Sequence, residues 1–243
     1  PTPEPGAGEI RVRVRATSVN YGDLTARDFP GVGPSRFNMP APLFYAARLS
    51  FGWFRPRNPL LGSEYAGEVD AVGPGVSGFA AGDRVFGYRG QRMGTYAEYL
   101  VEKADGMVAP LPAGVALEDA AVLAYGGTTA LALLKRARPP SGASVLVNGA
   151  SGSIGMAALQ ILVADGARVT GVAGPGSQAL VRELGAEASL DYTKTDVTDP
   201  DSAPGGRYDL VLDVRGRLGF DAARRVLTPA GRYFPVSFKS PAL

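Results

Sequence analysis

The sequence predicts an α/β chain in two parts: a β-rich domain over residues 1–113, then a doubly wound parallel sheet over residues 114–243. Three observations carry this. Up to about residue 113, short apolar runs are broken by Gly and Pro at close intervals. From about residue 115, strand-like and helix-like runs alternate, the rhythm of βαβ units. Between the first such strand and helix stands a glycine-rich turn, Asn148-Gly-Ala-Ser-Gly-Ser-Ile-Gly155. With 45% hydrophobic and 20% charged residues in 243, there is material for a sizeable core.

In the first part, strands are expected at Ile10–Ala16, Gly67–Val72, Arg84–Tyr88 and Tyr96–Val101. Arg11, Arg13 and Arg15 alternate with apolar residues, as on the wet face of a strand. A nucleic-acid surface usually needs a broader basic patch, so no nucleic-acid partner is expected. Phe29, Phe37, Phe44, Tyr45, Phe51, Trp53 and Phe54 crowd one stretch, with a short helix expected over Leu43–Phe54. That stretch reads as a satellite core, as the wall or lid of an apolar pocket, or as a membrane-surface helix. The apolar run Ala120–Leu134 is interrupted by Tyr125-Gly-Gly-Thr-Thr129 and is too short to span a bilayer. A cytoplasmic protein without a membrane span is expected.

In the second part, Val145–Asn148 reads as a strand and Ile154–Asp165 as a helix, with Ile154, Ala157, Ala158, Ile161 and Leu162 on one face. A strand at Arg168–Ala173 and a helix at Ser177–Leu184, stopped by Gly185, come next. Strands follow at Ser189–Tyr192 and Tyr208–Val214, then a helix at Leu218–Leu227 and a strand at Gly231–Ser237. Tyr208–Val214 is apolar as a buried parallel strand should be, except at Asp209 and Asp213.

Cysteine and histidine are both absent. That excludes disulfides, a thiol nucleophile, a Ser-His-Asp triad and a Cys or His zinc site. Chemistry is left to a cofactor, or to hydroxyls, amides, carboxylates, Lys and Arg. The turn supplies the cofactor candidate. Ala150, Gly152 and Gly155 fill the slots of a dinucleotide fingerprint; Gly152 admits a pyrophosphate and Gly155 lets helix pack on strand. A plain tight turn is the competing reading, and no Lys-Ser or Lys-Thr follows to make a Walker A loop. Binders of NAD place an acid at the end of the second strand, but here Val172-Ala-Gly-Pro-Gly-Ser-Gln178 has none. NADP(H) is therefore favoured, with NAD(H) still open. No Arg or Lys stands there to grip a 2′-phosphate, leaving Ser177, Tyr192 and Lys194 as donors. Tyr99 and Lys103 have the spacing of a short-chain dehydrogenase pair, but they precede the turn rather than follow it.

A family pattern runs through nearly the whole chain. It comprises Pro3-Glu-Pro-Gly6, Ser18-Val-Asn-Tyr-Gly-Asp23, Leu61-Gly-Ser-Glu-Tyr-Ala-Gly-Glu-Val69 with Asp70 to Gly73, and Gly82-Asp-Arg-Val85. It continues with Gly94-Thr-Tyr-Ala-Glu98, Gly127-Thr-Thr-Ala130, Gly149 to Gly155, Leu184-Gly-Ala186 and Asp191-Tyr-Thr193. In this order the chain resembles the medium-chain dehydrogenase/reductase superfamily, in its zinc-free quinone oxidoreductase (zeta-crystallin-like) branch. Zinc alcohol dehydrogenases carry His where Ser63 stands, so their metal chemistry is not transferred. The resemblance implies a GroES-like catalytic domain and a Rossmann domain, with the chain truncated at both ends.

The resemblance also implies hydride transfer from a nicotinamide lying between the domains to a quinone or an α,β-unsaturated carbonyl. Asn20 and Asp23 would then sit near nicotinamide and substrate, although both also read as a turn cap. Tyr21, Trp53 and Tyr65 would line the substrate side, with the Tyr21 and Tyr65 hydroxyls free to polarise an oxygen or relay a proton. Glu64 reads as a structural buried carboxylate. Thr129 would meet the carboxamide end. Ala150, Ser151, Gly152, Ser153, Ile154, Gly155, Gly174, Ser177, Tyr192 and Val214 would hold the rest of the cofactor. A homodimer stays open. An enoyl reductase acting on carrier-bound acyl chains and a non-catalytic NADPH-binding protein are the competing functions.

Overall fold

The structure is a computed structural model that describes residues 2–31, 33–34, 41–53, 58–204 and 206–236. It divides into two compact units, one holding the described residues up to Tyr125 and the other those from Gly126 onward.

The first unit is built on strand β1 (Glu9–Thr17), which alternates buried Ile10 and Val12 with arginines. A seven-residue helix α1 (Tyr21–Arg27) follows where only a turn cap was expected. Helix α2 (Ala41–Phe51) stands in place of the predicted Leu43–Phe54, ending before Gly52 at φ 112°. Strand β2 (Glu64–Val72) begins three residues earlier than predicted, because Glu64 to Ala66 pair with Tyr88 to Phe86 of β3 (Arg84–Tyr88). Strand β4 is Tyr99–Lys103 rather than Tyr96–Val101. The reason is local: the Tyr96 N–H donates to the Leu61 carbonyl and so leaves the ladder. A short β5 (Val108–Pro110) completes an antiparallel sheet of order β4-β1-β2-β3-β5.

Ile10, Val12, Tyr65, Val69, Val85 and Leu100 form the core of this sheet. On the other face the arginines of β1 meet acids of β2. Arg11 Nε lies 2.6 Å from Asp70, and an Arg15 Nη lies 2.9 Å from Glu68. Such cross-strand pairs fix register more than they add stability.

Helix α3 (Leu117–Ala121) leads into α4 (Leu123–Ala137), which runs straight through the predicted interruption at Tyr125-Gly-Gly. A packing reason exists at Gly126, where a Cβ would lie 2.4 Å from Ser153 Oγ. Close approach there offsets the roughly 1 kcal/mol that a helical glycine costs.

The second unit alternates as expected: β6 (Ser144–Asn148), α5 (Ser153–Ala164), β7 (Arg168–Ala173), α6 (Gln178–Glu183), β8 (Ala188–Asp191), β9 (Tyr208–Asp213), α7 (Phe220–Val226) and β10 (Leu227–Pro235). All pairings are parallel, in the order β10-β9-β6-β7-β8. The last strand starts at Leu227, four residues before the predicted Gly231, directly from the end of α7. Its predicted end, Ser237, lies outside the described residues. The two acids of β9 are accounted for by partners. Asp209 accepts from the Ser144 N–H and Thr228 hydroxyl, and Asp213 is buried among four donors. Order reverses between β6 and β9, and the crevice at the carboxyl ends of strands beside such a reversal is where open α/β sheets bind ligands. Among the described residues no helix is long and apolar enough to cross a membrane.

Candidate functional site

In the second unit the turn after β6 folds tightly. The N–H groups of Gly149 and Ala150 both donate to the Val172 carbonyl, at 3.1 and 2.9 Å. Gly152 caps α5 in extended conformation, and the first intrahelical bond is Met156 N–H to Gly152 O at 2.8 Å. The N–H groups ahead of that bond have no acceptor in the helix, which leaves a donor cluster at the positive end of a twelve-residue helix. A Cβ on Gly155 would lie 2.1 Å from Gly149 O, whereas one on Gly152 meets nothing nearer than 3.5 Å. One glycine therefore permits packing, and the other leaves room for a ligand.

A cavity of about 420 Å³ opens here, across the carboxyl ends of β6, β7, β8 and β9. Six of the residues expected at the cofactor line it: Ser151, Gly152, Gly174, Ser177, Tyr192 and Val214. Ala150, Ser153, Ile154 and Gly155 instead build the turn and the helix start behind it, and Ala150 is fully buried. Thr129 is on α4, and neither it nor Lys194 reaches this cavity. Arg215 lines it as well, a residue the sequence did not single out because it follows a different strand. Its guanidinium carbon lies 5.3 Å from the centre of the Tyr192 ring.

The first unit holds a second polar cluster. Asn20 caps α1, and its backbone N–H donates to the Asp23 carboxylate at 2.8 Å. Asp23 is 2% exposed, so the cap reading describes its place here. The Asn20 amide nitrogen donates to Ser18 Oγ at 2.9 Å and to the Glu64 carboxylate. Fully buried Glu64 also accepts from the Ser18 hydroxyl and from the Tyr125 N–H, each at 2.6 Å. With its nitrogen turned to Ser18 and Glu64, the Asn20 side chain also faces the Asp23 N–H in a capping box, so the amide is held from both ends.

The expected substrate-side residues do not gather around this cluster. Tyr65 lies in the sheet core with no exposed surface. Burial, and then the Glu102 carboxylate, lift its hydroxyl far above the ordinary tyrosine range. The side chain is a core element here rather than a cleft-facing acid. Tyr21 is 79% exposed on α1. Trp53 is exposed and stacks under Arg48, whose guanidinium carbon is 5.5 Å from its ring. Of the aromatic stretch, Phe29 and Phe44 are buried against each other at 5.8 Å, as the satellite-core reading requires. Phe37 and Phe54 lie outside the described residues, and the Phe51 side chain is likewise not described.

Tyr96, from the Gly94–Glu98 motif, and Tyr88, from the end of a predicted strand, join the cluster although neither was expected at the site. The Tyr96 hydroxyl lies 3.2 Å from the Ser18 carbonyl and 3.3 Å from Asp23, and the Tyr88 ring packs 5.3 Å from that of Tyr125. Burial and the nearby Asp23 carboxylate push Tyr96 up to about 12. Burial, followed by Tyr125, Glu64 and Asp23, pushes Tyr88 up to about 12 too. Both groups hold their protons more tightly folded than at the unfolded value of 10.0. Stability linked to them is fully present below pH 10 and is lost as pH rises through about 12. The melting temperature is expected to fall across that window, and Tyr88→Phe with Tyr96→Phe should flatten part of the fall.

A zinc ion does not suit this donor set. The sequence has no Cys or His, and among the described residues no three carboxylates come together. A dinucleotide does suit the second unit, through the uncovered helix start, the open face of Gly152 and the cavity beside them.

Two family models match the chain. Residues 6–113 match the alcohol dehydrogenase GroES-like domain, and residues 153–242 match the zinc-binding dehydrogenase domain. A mycocerosic acid synthase-like polyketide synthase of Mycolicibacterium smegmatis is 32% identical over 237 residues, which is 96% of this chain and 10% of that protein. A quinone oxidoreductase of Pseudomonas aeruginosa is 32% identical over 232 residues, 94% of this chain and 64% of that one. The crystal structure of an NAD-dependent alcohol dehydrogenase superposes with a TM-score of 0.78 at 30% identity, over 97% of this chain and 71% of the other. The chain thus spans a tenth of the synthase and less than two thirds of the quinone oxidoreductase.

Proposed function

Because the chain belongs to the medium-chain dehydrogenase/reductase superfamily, on its quinone oxidoreductase branch, we propose that it reduces quinones or α,β-unsaturated carbonyls with NADPH and without zinc. The observation that carries this is the cavity over the Gly149–Gly155 turn, which joins a helix start rich in N–H donors to a second-strand end without an acid. A bound dihydronicotinamide supplies the hydride. The residues of this chain have the other tasks. Ser151, Gly152 and the first turn of α5 hold the pyrophosphate. Gly174, Ser177, Tyr192 and Val214 surround the adenosine end. Asn20, with its amide fixed by Glu64, Ser18 and the start of α1, is a rigid polar group on the substrate-side unit. A conjugated acceptor needs no strong general base, which agrees with a chain lacking His.

A second reading is reduction of an enoyl chain within a larger synthase. It is favoured by the 32% identity to a polyketide synthase across 96% of this chain. One substrate panel separates the two. NADPH oxidation is followed with quinones, conjugated ketones, enoyl thioesters and simple alcohols, with and without a chelator. Quinones or conjugated ketones are expected to give the highest kcat/KM, unchanged by the chelator. A clear preference for enoyl thioesters selects the second reading. Faster turnover of simple alcohols, or loss of rate on chelation, overturns the proposal.

A further inference from the structure

We infer that Arg215 is the cation that reads the ribose 2′-phosphate of an NADP-type dinucleotide, reaching the cavity from the loop after β9 rather than from the loop after β7. The inference rests on the nucleotide-cavity reading above and deepens it by assigning the residue behind cofactor choice.

Four observations converge. Arg215 is the one charged residue among the described lining of the cavity, whose other members are Gly, Ala, Ser, Val and Tyr. It makes no ion pair among the described residues, so its charge is not already neutralised. Its guanidinium lies over the Tyr192 ring at 5.3 Å, an arrangement that orients the planar fork while leaving its N–H groups for an anion. Its stem passes Gly149 so closely that a Cβ there would lie 2.9 Å from Arg215 Cγ.

The loop after β7 offers no rival. Gln178 is engaged: its amide nitrogen donates to the carbonyls of Ala173, Gly174 and Leu190, and its oxygen accepts from Ser189. Ser177 is neutral, and Lys194 does not line the cavity. The backbone that carries Arg215 is held in place. Asp213, fully buried, accepts from Asn148 Nδ2 at 2.7 Å and from the Gly216 and Leu218 N–H groups and the Tyr233 hydroxyl at 2.9 Å each. An unpaired guanidinium on a fixed loop, facing a cavity without carboxylates, is the chemistry that selects a dianionic phosphate.

The test is calorimetric binding of NADP⁺ and NAD⁺, which differ only in the 2′-phosphate, to the wild type, Arg215→Leu and Arg215→Lys. The wild type is expected to favour NADP⁺. Arg215→Leu should weaken NADP⁺ by about ten- to a hundredfold, since a charge-assisted bond is lost. The same variant should change NAD⁺ by less than about threefold, and Arg215→Lys should keep part of the preference. Equal weakening of both cofactors would assign Arg215 to the shared pyrophosphate, and no change in either would leave it without a role. Both results overturn this inference while leaving the nucleotide reading intact. A wild-type protein that binds neither cofactor overturns the nucleotide reading itself. Unchanged melting temperatures in the two variants confirm that binding, not folding, is being read.

Discussion

Gly155→Ala is expected to lower the melting temperature by roughly 6–12 °C, as for overpacking that costs about 3 kcal/mol in a chain of this size. The new Cβ would stand 2.1 Å from Gly149 O and 2.9 Å from Ala150 Cα. Both are backbone atoms, so no side chain can swing away to relieve the clash. Helix α5 must lift off the turn, and the donor cluster at its start is displaced with it. Gly152→Asp is the informative contrast. Its backbone has φ −86°, and its nearest neighbour would be 3.5 Å from the new Cβ, so folding should survive within a few degrees. A carboxylate then occupies the face meant for a pyrophosphate, and dinucleotide affinity should fall by at least about a hundredfold. Thermal melts with fluorescence titration distinguish the two. Normal nucleotide binding by Gly152→Asp would remove the turn from the binding site.

Glu64→Leu is expected to be comparably harmful in the first unit. The carboxylate is fully buried and receives the Ser18 hydroxyl, the Asn20 amide and the Tyr125 N–H. A leucine takes this acceptor from three half-buried donors, of which the Asn20 amide keeps only its bond to Ser18 Oγ. Each orphaned group costs about 1–3 kcal/mol, so a loss of roughly 3 kcal/mol or more is expected. In a chain of this size that lowers the melting temperature by roughly 6–12 °C. Asn20 also loses the contact that sets its amide, so KM should rise or kcat fall beyond what reduced folding explains. Glu64→Gln keeps the shape and one acceptor oxygen, and should recover part of the stability. If Glu64→Leu melts like the wild type, the hydrogen-bond cluster is not what holds Asn20.

The legible parts of the fold were those written in local pattern. Alternation along Ile10–Ala16 marked β1, and the apolar run ahead of the glycine turn marked β6 and α5. The helix α1 was less visible, because its signal is one side chain, Asp23, bonding back three residues to Asn20. The run of α4 through Tyr125-Gly-Gly was hidden by glycines that read as breakers, and Gly126 makes sense only once Ser153 is beside it. At the site, six residues expected at a cofactor, two from the turn and four from later segments, line one cavity. Arg215 and Tyr96 escaped because each is brought in by pairings between distant segments. Tyr65 went the other way: a motif placed it near the chemistry, and strand alternation placed it in the core.

The buried Asp213 has a thermodynamic consequence. It fixes the Val214–Leu218 loop through two backbone N–H groups, and ties that loop to β6 and β10 through Asn148 and Tyr233. Ordering a loop residue on binding costs about 1–2 kcal/mol of conformational entropy. Here that ordering is already complete in the folded chain, so a ligand meeting Arg215 has mainly one side chain left to immobilise. Affinity gained at this position is therefore preorganised, and it belongs to the carboxylate behind the loop as much as to the guanidinium in front of it.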